Sequence, residues 1–162
     1  MFNRSVLFGT FLAIGCIISI IACNSKKVKE EVYTYEDGSP KAKFTTVDGQ
    51  IEGLYEEFYP GGNLMGKKNF VGNKEQGVAY TYFHSGEVKE VQYFLDGLVH
   101  GGDTIFYESG EPRYITRFEK GKRNGKAERY SKDGKLEFVT VFVNDSIVSS
   151  ENLMQLDSVR TK

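Results

Sequence analysis

Two histidines, two cysteines and a scatter of carboxylates are the side chains of this 162-residue chain best equipped for chemistry. A zinc site needs several nitrogen or sulfur ligands converging on one point. His84 and His100 lie in separate turn-like segments and have no cysteine near them, so no metal set is assigned. Glu56, Glu57, Glu87, Glu90, Glu108 and Glu111 offer acid–base groups. A glycosidase pair requires two carboxyls facing one another across a cleft, and in an open sheet such residues read as solubilising surface. The segment "KGKRNG" gathers Lys120, Lys122 and Arg123, with Lys126 just beyond. It lacks the following helix that makes a glycine-rich loop hold phosphate. It reads instead as a basic turn able to face anionic lipid or an acidic partner. No serine sits in a nucleophile elbow, and no catalytic residue or cofactor site is assigned. The chain reads as a non-enzyme. A formal charge of −1 gives no electrostatic footprint for nucleic acid.

The elements that must position these residues are set by glycine. Gly38, Gly62, Gly86, Gly110 and Gly134 recur every 24 residues. Gly53, Gly77, Gly101 and Gly125 keep the same interval, and so do Gly49, Gly97 and Gly121, with Asn73 in the missing slot. Fixed glycine offsets mark backbone that needs positive φ, where Asn is the best substitute. "EDGS", "PGGN", "HSGE", "ESGE" and "KDGK" therefore read as tight turns. "DGQIEG", "GNKEQG", "DGLVHG" and "KGKRNG" read as longer turns at the opposite edge. The runs between them, such as "VAYTYF" and "LEFVTVFV", are rich in aromatic and β-branched residues and too closely spaced for crossover helices. The fold expected is all-β: a single-layer antiparallel meander of about five 24-residue β-hairpin repeats.

Aromatic columns follow from the same interval. Phe58, Tyr82, Phe106 and Tyr130 form one, and Phe70, Phe94, Phe118 and Phe142 another. All eight are even-numbered, and the expectation is that they share one face as a packed, structural ladder. The opposite face would then carry Tyr59, Phe83 and Tyr107 among Glu57, Thr81 and Arg129. Tyr59, Tyr93 and Tyr107, with the basic turn at Lys120, Lys122 and Arg123, are the candidate binding surface for a protein partner.

The first residues have a different character. Arg4 precedes an uncharged run from Val6 to Ala22, as in a secretory signal. "IIAC" resembles the lipobox of bacterial lipoproteins. That resemblance implies lipidation of Cys23 and removal of residues 1–22, with an uncleaved membrane anchor as the alternative. Two or more acyl chains suffice for stable attachment. Residues 23–31 would hold the lipidated cysteine and a charged spacer, 32–145 the repeat domain, and 146–162 a tail or edge cap. Within the tail, Leu153, Met154 and Leu156 suit one turn of amphipathic helix. Asn24 after the cysteine resembles sorting to the outer membrane.

"FLDGLVHGGDTIFYESG" and "FEKGKRNGKAERYSKDG" space their aromatics and glycines as MORN repeats do. The resemblance is closest to the MORN variant of bacterial envelope proteins, some labelled antitoxin components. It covers roughly residues 32–143, departing at Thr46, Asn73 and Asp145. It implies a lipid-anchored, non-catalytic protein that presents a broad sheet to a protein partner in the cell envelope. Two alternatives stay open: an immunity or antitoxin role, and glycan or peptidoglycan binding or hydrolysis.

Overall fold

The computed structural model describes residues 25–154, so Cys23, the apolar start and Leu156 lie outside the described residues. The described chain is almost entirely strand. In order the strands are β1 (Val28–Thr34), β2 (Pro40–Val47), β3 (Gln50–Phe58), β4 (Leu64–Val71), β5 (Lys74–Glu75), β6 (Gly77–Tyr82), β7 (Val88–Leu95), β8 (Leu98–Phe106), β9 (Pro112–Glu119), β10 (Lys122–Tyr130), β11 (Leu136–Val143) and β12 (Ser146–Asn152). All belong to one antiparallel sheet in which sequence neighbours are spatial neighbours, with short β5 paired to β4. The sheet extends beyond residues 32–145. β1 takes up the last four residues of the charged segment read as a spacer, and β12 takes up the start of the tail, followed by a helical Leu153–Met154.

Both edges are built by turns that repeat with the sequence. At one edge, Gly38, Gly62, Gly86, Gly110 and Gly134 have φ between 76° and 97°. In the first of these turns the amide of Tyr35 donates to the carbonyl of Ser39 and that of Gly38 to the carbonyl of Tyr35. This is the three-residue hairpin loop that closes on a left-handed glycine. The opposite edge differs from the expectation of longer turns. Asp48–Gly49, Gly72–Asn73, Asp96–Gly97, Lys120–Gly121 and Asn144–Asp145 are pairs with positive φ at both residues, the signature of the two-residue type I′ turn. The second glycine of three of the "longer turn" segments, Gly53, Gly101 and Gly125, lies inside the following strand at a register shift, while Gly77 opens β6 after a break. Those three kink the strand instead of lengthening the loop.

The rings do not share one face. Across each hairpin an odd-numbered residue pairs with an even-numbered one: Glu57 with Gly66, Thr81 with Glu90, Ile105 with Tyr114 and Arg129 with Phe138. Even residues of the outgoing strand therefore point away from even residues of the returning strand. Phe70, Phe94, Phe118 and Phe142 lie on one side, the Phe142 face. Phe58, Tyr82, Phe106 and Tyr130 lie on the other, the Tyr80 face, where the Tyr80 and Tyr82 rings stack at 6.3 Å. Number parity equals face parity only along one strand.

Each returning strand also skips one residue in the pairing: Lys41, Met65, Lys89, Arg113 and Glu137. These bulges re-aim a side chain at the turn edge. With one layer there is little interior. Among the described residues Ala42 and Phe142 are the buried apolar side chains, and none falls below 2% exposure.

Candidate binding face

The Phe142 face holds two depressions, each of about 300 Å³. The N-terminal one is lined by Tyr33, Ala42, Phe44, Ile51, Tyr55 and Glu57, among others. Its rings form a run: Tyr33 to Phe44 at 5.6 Å, Phe44 to Tyr55 at 5.1 Å, and Tyr55 to Phe70 at 5.6 Å between centroids. The Lys68 ammonium lies 5.4 Å from the Tyr55 centroid and forms a 2.9 Å ion pair with Glu75. Burial pulls the Lys68 ammonium down, but its hydrogen bond to Glu75 and that residue's charge outweigh it and hold the group above its ordinary value. Burial is also the main reason the Tyr55 phenol is raised.

The C-terminal depression occupies the same places three units later. Arg123 stands in the slot of Ile51, Ala127 in that of Tyr55, and Arg129 in that of Glu57. The Arg123 guanidinium lies 4.2 Å from the Phe142 centroid, and that of Arg129 lies 4.1 Å from Phe138. Arg123 Nε pairs with Asp145 Oδ1 at 3.2 Å and Arg129 Nε with Glu137 Oε2 at 3.0 Å. The backbone amide of Arg123 also donates to Asp145 Oδ1 at 2.9 Å, and these hydrogen bonds hold the Asp145 carboxyl below its ordinary value.

Between the depressions the face is polar and partly buried. Gln92 Nε2 donates to Asp103 Oδ2 at 3.2 Å, while Asp103 Oδ1 and Thr81 Oγ1 have no hydrogen-bond partner among the described residues. Burial raises Glu90, and the charge of Asp103 and a hydrogen bond to it raise it further. Burial raises Asp103 as well, against the hydrogen bonds from Gln92 and Glu90. Both carboxyls are thus biased toward their protonated forms, as burial beside a like charge favours. Among the described residues no group of three or more His, Cys, Asp or Glu side chains is placed to hold a metal.

The six residues expected to form one surface are divided. Tyr59 and Tyr107 are half-buried, and their hydroxyls donate to the carbonyls of Tyr82 and Tyr130 at 2.8 and 2.9 Å. Tyr93 points to the Tyr80 face opposite Val78 and is 39% exposed. Lys120 sits in its turn at φ 49°. Lys122 pairs with Glu119 on the Tyr80 face, whereas Arg123 turns to the Phe142 face. Sequence reasoning set Arg129 among the polar residues opposite the ladder and read Glu90 as solubilising surface, and it singled out neither Phe138 nor Asp103. The sequence signal for Asp103 is its column: Tyr55, Ala79 and Ala127 fill the equivalent slots, so a carboxylate there stands out.

Residues 51–71 and 123–144 match the family model described as MORN repeat variant. The match supports a MORN-type repeat. Each matched segment is one outgoing strand, its three-residue loop and the returning strand. The second matched segment supplies most of the C-terminal depression, the first supplies part of the N-terminal one, which β1 and β2 complete, and the hairpins between them keep the same ladder. No curated protein matches the chain.

Proposed function

We propose that this protein is a lipid-anchored, non-catalytic binding protein of the bacterial cell envelope, and that its Phe142 face receives a protein partner. One observation carries the reading. The frame repeats while the chemistry displayed on it does not: Glu57, Thr81, Ile105 and Arg129 occupy one repeat slot on this face. Packing needs alone would keep a slot alike from unit to unit. Repeat arrays present extended surfaces of this kind, and a few aromatic and Arg anchors carry most of an interface's affinity.

The lipid reading rests on "IIAC" and Cys23, with residues 1–22 leaving as the signal and Asn24 favouring the outer membrane. Four residues separate Cys23 from β1, so the β1 edge stays within about 20 Å of the anchor. Two variants of the full chain test the binding reading, each with a photo-crosslinking side chain, at Thr140 on the Phe142 face or at Val78 on the other. Expressed in a bacterial envelope, the Thr140 variant forms a discrete protein adduct and the Val78 variant does not. Identical adducts from both, or none from Thr140, overturn the reading. Separately, Cys23→Ser abolishes acyl labelling and membrane association, and undiminished labelling rejects the anchor.

A further inference from the structure

The C-terminal depression has the chemistry to recognise carboxylates. Phe138 and Phe142 are four residues apart in β11 on one face, hence about 13 Å apart. Each is covered by a guanidinium at 4.1–4.2 Å, Arg129 over Phe138 and Arg123 over Phe142. The rim carboxylates Glu137 and Asp145 take only the Nε atoms. The Nη groups make no hydrogen bond to another described residue, so donors of fixed orientation stay open at both ends. Between them the floor is made of small side chains, Ala127 and Thr140.

We propose that this depression receives an extended polypeptide segment with acidic side chains at positions i and i+4 and an apolar side chain at i+2. The proposal rests on the protein-binding reading above and names the partner's chemistry. In an extended segment, alternate residues point to one side and i to i+4 spans about 13 Å. Carboxylates at the two ends then arrive over Arg129 and Arg123, and the middle side chain settles on Ala127 and Thr140. Guanidinium–carboxylate hydrogen bonds are the strong, charge-assisted kind. A basic segment brings no acceptor for the open Nη donors at either end. A neutral one leaves four Nη groups hydrated without gain. The preference is local to this end, because the equivalent N-terminal depression offers Ile51 and Glu57 in place of the arginines.

The test is an NMR titration of the full chain in detergent, read at the side-chain Nε–H signals of Arg123 and Arg129. The probes are acetyl-Asp-Ser-Leu-Ser-Asp-amide and its Asn-for-Asp counterpart. The acidic peptide shifts both signals and binds roughly tenfold or more tightly than the amide peptide. Arg123→Gln and Arg129→Gln each weaken it several-fold while the remaining spectrum stays folded. Where a Gln variant perturbs the fold, Arg129→Lys serves, and its loss of forked donors also weakens binding. Equal binding of the two peptides overturns the acidic specificity and leaves the binding face standing. No binding of the acidic peptide at millimolar concentration overturns it too, and the Thr140 crosslink judges the broader reading independently.

Discussion

The phenol of Tyr59 donates a hydrogen bond to the backbone carbonyl of Tyr82, 23 residues further along, at 2.8 Å. Tyr35 does the same to Phe58 at 2.8 Å and Tyr107 to Tyr130 at 2.9 Å. One edge of the sheet is thus sewn, unit to unit, by tyrosine hydroxyls. Phe83 occupies the intervening slot and has no hydroxyl to give. Tyr59→Phe and Tyr107→Phe should each lower stability by about 1 kcal/mol, the net worth of such a bond. Phe83→Tyr should raise it by up to about that amount. Urea midpoints of the three variants check this, and unchanged midpoints throughout would show the bonds to be idle.

Gly101 and Gly102 are adjacent in β8 and should respond in opposite directions. Gly101 has φ 81°, whereas Gly102 lies outside the left-handed region; an added Cβ meets nothing within 4 Å at either. Gly101→Ala therefore isolates the left-handed backbone cost, about 1–2 kcal/mol. Gly102→Ala should be neutral or stabilising by about 0.5 kcal/mol, because Gly weakens a strand interior. Thermal unfolding of the pair decides, and similar losses at both would rule out the backbone explanation.

Phe142, at 6% exposure, lies beneath Arg123, while Tyr93 is 39% exposed on the other face. Truncation of Phe142 to Ala should cost about 3 kcal/mol. Tyr93→Ala should cost well under half of that, having less contact to lose. Equilibrium urea melts compare them directly.

The Glu90–Asp103 pair gives a pH dependence of known sign. Both carboxyls lie above their ordinary values of 4.5 and 3.8 in the fold. Groups raised on folding stabilise fully below their unfolded values, and that contribution is lost as pH rises through the folded ones. Asp103→Asn removes the charge conflict. It should raise the urea midpoint at pH 7 and change it little below about pH 3, where both carboxyls are protonated in the folded and the unfolded state. Carboxyls lowered in the fold, Asp37, Glu111, Asp133 and Asp145, act in the opposite sense, so the difference between wild type and variant is the quantity to follow.

How far these features can be read from the chain depends on whether they are local. Gly49, Asn73, Gly97 and Gly121 announce left-handed backbone by residue type alone, so turns, strands and the 24-residue interval are legible. Which face a ring takes depends on how many residues the hairpin loop contains, and an odd pairing sum separates Phe58 from Phe70. Arg123 illustrates the same limit. Its neighbours in sequence are Lys120 and Lys122, but strand alternation sends Lys122 to the other side and leaves Arg123 beside Arg129. The carboxyl pair is harder still, since Glu90 and Asp103 meet only once β7 and β8 are in register.

A sheet wet on both sides has a consequence for its response to temperature. Unfolding raises heat capacity mainly by exposing apolar surface, typically about 12–15 cal/mol/K per residue in proteins with an enclosed interior. Here no described side chain is fully enclosed, so less apolar surface is newly hydrated and the increment per residue falls below that range. The stability curve is correspondingly shallow: cooling weakens the sheet little, and its free energy of unfolding declines gently on warming.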